Sequence, residues 1–315
     1  MTRLAPLVLA LLAAACTRNN AEVFEDLAND ARTDSRPDLD RVMTASDAAP
    51  LLAGPDALTL PMERGRFPTV YGSVNGVSMP LILDTGTSIT VLSGPAARAA
   101  RIYMPDRPPI GVTSPGYDTP HRLGAFESLS FGDFRFGPSA TSVAARERQF
   151  AYGILGLKFA IVGSSVLSHF AVTFDYGRRE VRLKRHGGEA NSSVLLTEVL
   201  VNGRPMRLLV DSGANRIVLE PRVAAQLGLV TDEEATAMLG KADRESRAAG
   251  HRVTLDSVTF AGKTLEKIPG LVLHTFEDKP GAPAGLLGLG AFGKSVWTLD
   301  YAEPRLRLDF ADGGE

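Results

Sequence analysis

Residues 81–93 read LILDTGTSITVLS: three apolar residues lead up to Asp84, and a glycine follows two positions later. The apolar run reads as a buried strand, so the chain carries a carboxylate out of its interior and turns at once. Alone the tripeptide means little, since a D-[TS]-G match arises by chance about 0.1 times in a chain of this length. Residues 208–220, LLVDSGANRIVLE, make accident a poor explanation. The upstream contexts agree as well, VNGVSMPLILDTG from Val74 and VNGRPMRLLVDSG from Val201, so Asp84 and Asp211 occupy the same place in two repeats, 127 residues apart. Two copies mean a duplicated fold and not a solenoid.

From Leu58 onward the chain consists of short alternating or apolar runs punctuated by Gly, Asn and Pro, the texture of a mostly antiparallel all-β protein with short helices. Asn75-Gly76 and Asn202-Gly203 sit between apolar runs and predict the hairpin turn that leads into each Asp strand. Further apolar runs follow, Ile89 to Leu92 and Ile217 to Leu219, and then two helix-like patches with Pro95 and Pro221 where a helix begins. The repeat ends match too: IVGSSVLSHFAVTFDYGRREVRL and LLGLGAFGKSVWTLDYAEPRLRL place Gly163 and Gly288 equally far ahead of Asp175 and Asp300. Another apolar-apolar-Gly ends at Gly156, but the spacing selects Gly163.

A chain of 315 residues with 44% apolar content has room for two cores, and a formal charge of −2 gives no general reason to bind nucleic acid. The N-terminus differs in kind. MTRLAPLVLALLAAAC holds one Arg, an apolar stretch too short to span a bilayer, and three alanines before Cys16, which reads as an export signal over 1–15. Cys16 is the only cysteine, so the chain has no internal disulfide. Its position resembles a bacterial lipobox with Ala13 where Leu is usual, and Thr17 after it resembles outer-membrane lipoproteins; a plain secretory cleavage is the other reading. Residues 16–57 then form a lipidated cysteine and a tether, or a pro-segment that inhibits; the excess of acidic over basic residues favours the tether.

With both motifs in view, the chain resembles the retropepsin-like and pepsin-like aspartic proteases, with two halves fused as in the bilobal pepsins and in bacterial periplasmic aspartyl proteases. The resemblance covers roughly Leu58 to Phe310 and rests on D-[TS]-G in an apolar hairpin plus apolar-apolar-Gly some eighty residues on, twice. It implies a bilobal acid-protease fold of two pseudo-symmetric lobes, 58–186 and 187–315. It also implies that the strands ending Ile161-Val162-Gly163 and Leu286-Leu287-Gly288 support the Asp loops from beneath. On this footing Asp84 and Asp211 are the catalytic pair, supported by Thr85, Gly86, Thr87, Ser212 and Gly213.

Hydrolysing a peptide without metal or cofactor needs a water made nucleophilic and a carbonyl oxygen protonated in one event, which two carboxyls around one proton supply. Gly86 and Gly213 let the facing loops approach without a Cβ between them. Thr85 and Ser212 in the family bond across to the opposing loop. Thr87 can donate to the carboxylate beside it whereas Ala214 cannot, which predicts that Asp84 ionises more readily. Residues 111–124 lie where a substrate-covering flap belongs, with Tyr117 placed like a flap tyrosine or as an ordinary loop tyrosine; the matching charged stretch 239–251 lacks an aromatic.

Both aspartates in one chain predict a monomeric enzyme acting on polypeptides in the periplasm, anchored through lipid to the outer membrane, with no nucleic-acid partner. Two other readings stand beside it. One is a non-catalytic peptide-binding protein on the same fold. The other is an actin-like or sugar-kinase-like nucleotide-binding protein, whose phosphate loops LDTGTS also resembles, although the apolar-apolar-Gly repeats would then go unexplained. No G-x-S-x-G or H-E-x-x-H is present, and His169 and His274 read as half-buried histidines.

Overall fold

The computed structural model describes residues 52–65, 67–104, 110–114, 117–144, 158–186, 194–230, 251–276, 280–288, 295–302 and 305–309. β1 (Ala57–Pro61) precedes the first Asp hairpin, formed by β2 (Thr69–Val74) and β3 (Val77–Leu83). Its turn, Asn75-Gly76, has both residues at positive φ, 49° and 76°, as a two-residue hairpin requires. The Asn75 side chain also accepts the Glu127 and Ser128 N–H groups at 2.9 and 3.1 Å, fastening the turn to the next layer of strand. β4 (Thr90–Leu92) leaves the Asp loop and runs into the helix Gly94–Ala99, where the Ser93 hydroxyl accepts the Ala96 N–H and Pro occupies the first turn.

The lobe continues with β5 (Ile110–Ser114), β6 (Tyr117–Phe126), β7 (Leu129–Phe131), β8 (Phe134–Phe136), β9 (Ser139–Ala144) and β10 (Ala160–Val162). These make a nine-stranded sheet in the order β5-β6-β9-β4-β10-β3-β2-β7-β8. β11 (Phe170–Asp175) and β12 (Glu180–Arg185) follow the short helix Ser164–Leu167. In the second repeat β13 (Leu196–Val201) and β14 (Arg204–Asp211) form the Asp hairpin around Asn202-Gly203, at φ 49° and 74°. β15 (Ile217–Leu219), the helix Pro221–Gln226, β16 (His251–Phe260), β17 (Lys263–Val272) and β18 (Gly285–Gly288) complete a barrel ordered β13-β14-β18-β15-β17-β16. β19 (Val296–Asp300) and β20 (Arg305–Asp309) end the repeat.

The final hairpins of the two repeats do not stay within their own lobes. They join with β1 into one five-stranded sheet, β1-β12-β11-β19-β20, whose central pair is antiparallel and matches Thr173 to Thr298. These threonine hydroxyls lie 2.9 Å apart, so the internal pseudo-twofold passes between them. Phe174 and Trp297, from either side of the axis, are wholly buried in one apolar core continuous through both repeats.

The folded part starts earlier than Leu58, where the sequence alone places the first lobe. Ala53 pairs with Arg135 through two backbone hydrogen bonds of 2.9 Å, and the Arg185 N–H donates to the Asp56 carbonyl at 2.8 Å. Leu52 packs against the core. Residues 52–57 are therefore docked rather than part of a tether; a short apolar and small-residue stretch gives no periodicity by which to see this.

Candidate active site

β3 and β14 each deliver an aspartate to the end of a buried strand, and each is flanked by a parallel strand from the far end of its own repeat. Ile161 and Val162 of β10 pair with Ile82 and Leu83, and Leu286 and Leu287 of β18 pair with Leu209 and Val210. Gly163 rather than Gly156 is thus the terminal glycine of the support strand. A Cβ at Gly163 would stand 2.6 Å from the carbonyl oxygens of Thr87 and Ile89, so only glycine lets this strand pass against the Asp loop. Just beyond it the Ser164 N–H donates to the Thr87 carbonyl at 2.7 Å and the Ser165 N–H to the Ser88 carbonyl at 2.9 Å, pinning the loop from below.

The two loops meet at the pseudo-twofold. Thr85 Oγ1 donates to the Val210 carbonyl at 3.0 Å and accepts the Ser212 N–H at 3.0 Å. Ser212 Oγ does the mirror task, donating to the Leu83 carbonyl at 2.7 Å and accepting the Thr85 N–H at 3.0 Å. Four buried hydrogen bonds across the interface fix the loops relative to each other, and losing any partner would strand a buried polar group. The approach is so close that a Cβ on Gly86 would lie 2.7 Å from the Asp211 Cγ, and one on Gly213 2.6 Å from the Asp84 Cγ.

Asp84 and Asp211 are each 1% exposed, and each stands against the glycine of the opposing loop. Burial pushes both carboxyls above the ordinary carboxylate range, because a charge withdrawn from water loses its hydration. Their surroundings then separate them. Asp84 Oδ1 accepts the Gly86 N–H at 2.9 Å and Oδ2 accepts the Thr87 hydroxyl at 2.9 Å, and these donors hold its pKa down. Asp211 is raised further by the neighbouring Asp84 charge, against weaker help from the Gly213 and Ala214 N–H groups, and its Oδ1 is buried without a hydrogen-bond partner. Of the two, the surroundings of Asp84 thus favour ionisation more than those of Asp211, in the direction that the contrast of Thr87 with Ala214 predicts.

The remaining residues named from the sequence fall differently. Cys16 lies outside the described residues. Tyr117 is the first residue of β6 and pairs with Ser114 of β5 in a hairpin where residues 111–124 place one; residues 115–116 and 231–250 lie outside those described. His169 is half-buried against Phe136, with ring centroids 5.2 Å apart, and burial lowers its pKa. His274 is exposed, not half-buried: its side chain is 64% accessible and its Nδ1 lies 3.1 Å from a Glu220 oxygen. Glu220 itself is buried because its other oxygen accepts the Thr275 and Phe276 N–H groups at 2.7 and 3.0 Å.

Two residues escape a reading centred on Asp and Gly. Tyr176 and Tyr301 follow Asp175 and Asp300 in the two repeat ends, and both hydroxyls are buried. Their signal is the Asp-Tyr pair common to the matched segments. Burial raises both phenols, and the charges of Asp211 on Tyr176 and of Asp84 on Tyr301 raise them further.

The sequence matches the aspartyl protease family over residues 70–159 and 197–291, one segment in each repeat. No curated protein sequence matches the chain. Among solved structures, a retropepsin-like aspartic protease from Rickettsia conorii is similar over 43% of this chain and 92% of its own, at 16% identity and a TM-score of 0.28. Basic 7S globulin from soybean is similar over 80% of this chain and 94% of its own, at 11% identity and a TM-score of 0.37.

Proposed function

Since the chain belongs to the aspartyl protease family, we propose that it is a single-chain endopeptidase in which Asp84 and Asp211 together activate a water against a peptide carbonyl. The observation that carries this reading is the meeting of two buried carboxyls with unequal donor sets. Asp84, ionised, takes a proton from the attacking water. Asp211, protonated, gives its proton to the carbonyl oxygen as the water oxygen bonds to carbon. The tetrahedral species then collapses: the leaving nitrogen takes the proton held by Asp84 as the C–N bond breaks, and one hydroxyl returns its proton to Asp211 as the new carboxyl forms, which restores the pair. The cross-loop bonds of Thr85 and Ser212 supply the fixed geometry this needs. With both aspartates in one chain, the working unit is a monomer.

The segment ahead of the fold supports placing the enzyme in the periplasm: an apolar leader, LAAAC, and an acidic tether that lets a lipid on Cys16 hold the lobes at the outer membrane. Division of labour follows the notional boundaries, with 1–15 removed, 16 onward anchoring, and two lobes meeting near residue 187. The substrates are polypeptides, covered by the β5–β6 hairpin.

Incubating residues 17–315 with an unfolded protein across a pH series tests the reading. Cleavage with a bell-shaped pH dependence, abolished by pepstatin, is the expected result. Cleavage indifferent to pepstatin at every pH overturns it in favour of a different hydrolytic chemistry, and no cleavage at any pH leaves a peptide-binding protein.

A further inference from the structure

The β5–β6 hairpin reaches the body of the first lobe through β6. β5 is the edge strand of the nine-stranded sheet and pairs with β6, while β6 pairs onward with β9 from His121, opposite Ala144, to Phe126, opposite Ser139. Among the described residues His121 is the rung at which the two strands part, since Tyr117 to Pro120 pair with β5 and not with β9. A two-stranded ribbon has little stability of its own, so this rung sets where the hairpin stands. Ser142 lies diagonally across the ladder from it. The His121 Nδ1 and the Ser142 hydroxyl are 2.5 Å apart, and both side chains are buried, at 0% and 1% exposure.

The second repeat fills the same row with leucine. Val91 of β4 is in register with Ser142, and Val218, its counterpart 127 residues on, is in register with Leu271. Val218 and Leu271 belong to a small apolar cluster with Leu209, Leu273 and Leu286. A Ser–His pair at such a place gives up apolar burial and brings in two groups that each need a hydrogen bond, so packing does not account for it. What imidazole has and leucine lacks is a proton taken up near neutral pH. We propose that the His121–Ser142 bond is an acid-sensitive fastening for the β5–β6 hairpin, closed while His121 is neutral and released when it is protonated. An imidazolium at full burial is costly, and lifting β6 from β9 at this rung returns it to water. From β9 the Ser142 hydroxyl faces His121, β4 contributes Val91 to the same row, and β5 meets it at Ile110; Arg122, next along β6, is in register with Val143 on the opposite face. Burial lowers the His121 pKa from its ordinary 6.5 to about 4. The open hairpin restores the ordinary value and so binds the proton first. The closed form is therefore fully favoured above about pH 6.5 and loses ground as pH falls, about tenfold per unit until pH reaches about 4.

Only the effect of this fastening on turnover rests on the proposed endopeptidase activity, so the test reads the hairpin directly. Amide hydrogen exchange of residues 17–315 is followed by mass spectrometry between about pH 7 and pH 4, each rate corrected for the intrinsic pH dependence of exchange. Peptides covering 110–126 are compared with those covering the β13–β14 hairpin, 196–211, which contains no histidine. Opening of 110–126 is expected to rise about tenfold per pH unit below about pH 6 while that of 196–211 stays level. His121→Gln, which keeps a hydrogen-bonding group for Ser142 but does not titrate, should remove the rise. The double variant His121→Leu/Ser142→Leu copies the apolar row of the second repeat and should remove it too, which keeps the test open if the glutamine variant does not fold. A level response of 110–126 in the wild type, or the same rise in a folded variant without His121, overturns the proposal even if the enzyme cleaves peptides. A rise that depends on His121 in a protein that cleaves nothing supports it while overturning the proposed activity.

Discussion

In the second repeat β16 runs unbroken from His251 to Phe260 and pairs with β13 through Leu200 and Val201, which closes a six-stranded ring. In the first repeat the equivalent path is cut in two: β6 ends at Phe126, β7 starts at Leu129, and it is β7 that pairs with β2, at Ser73 and Val74. The returning strand is cut as well, between β8 and β9, at Gly137-Pro138, where proline has no N–H to offer a ladder. One ring is continuous and the other hinged at its corners, so the same topology reads as a closed barrel in one lobe and a nine-stranded open sheet in the other. Around the aspartates, by contrast, the repeats agree bond for bond across Thr85 and Ser212. Scaffold strands were free to diverge, while four hydrogen bonds and two glycine approaches were not.

Where the loops do differ, at Thr87 against Ala214, the difference falls on the charge of the pair. Symmetry brings two like groups together, and the Thr87 hydroxyl then joins the Gly86 N–H in holding down the Asp84 pKa, where Ala214 has no hydroxyl to offer Asp211.

The comparison breaks most completely at the carboxyls. Asp84→Asn and Asp211→Asn should each lower kcat/KM for an unfolded protein substrate by about 10³-fold or more with folding retained, since an amide keeps the shape but can neither accept nor hold the proton. Removing the cross-loop symmetry comes next. Thr85→Val strands the Val210 carbonyl and the Ser212 N–H and should cost on the order of 2–4 kcal/mol in denaturant unfolding. Activity should fall roughly 10²-fold as the loops drift. Swapping the unequal positions sharpens the comparison: Thr87→Ala should raise the lower apparent pKa and cost up to about tenfold on the acid limb, whereas Ala214→Thr should lower the upper pKa and narrow the bell from the alkaline side. Ser212→Thr, which copies the first repeat into the second and keeps the hydroxyl, should stay within about threefold of wild type.

Much of this was legible in the chain itself. The paired Asn-Gly turns, the Asp strands, the choice of Gly163 and the asymmetry of Thr87 and Ala214 are all local or repeated, and two copies in register carry more information than either alone. What was not legible is non-local. Nothing near Phe170–Asp175 or Val296–Asp300 says that these strands pair with each other, because the pairing spans 125 residues and has no turn to announce it. The β16–β17 hairpin is equally silent, since its turn is Ala261-Gly262 and Ala261 adopts φ 49° without the Asn that would advertise it. Tyr176 and Tyr301 stood in plain sight within the matched segments, but an aromatic after a strand reads as core until its hydroxyl is found buried and unpaired.

The central claim is that two carboxyls from two repeats act as one group, and the difference between the single and double Asp→Asn variants tests it most directly. Steady-state kcat/KM is measured for Asp84→Asn, Asp211→Asn and the double variant on the same substrate. If the pair works as a unit, the double variant is no slower than the worse single one, because the first amide has already removed the shared proton and the second has nothing left to take. Losses that multiply, or an Asp211→Asn variant that keeps full activity while Asp84→Asn is dead, would show instead that the two repeats contribute separately and that the second is scaffold.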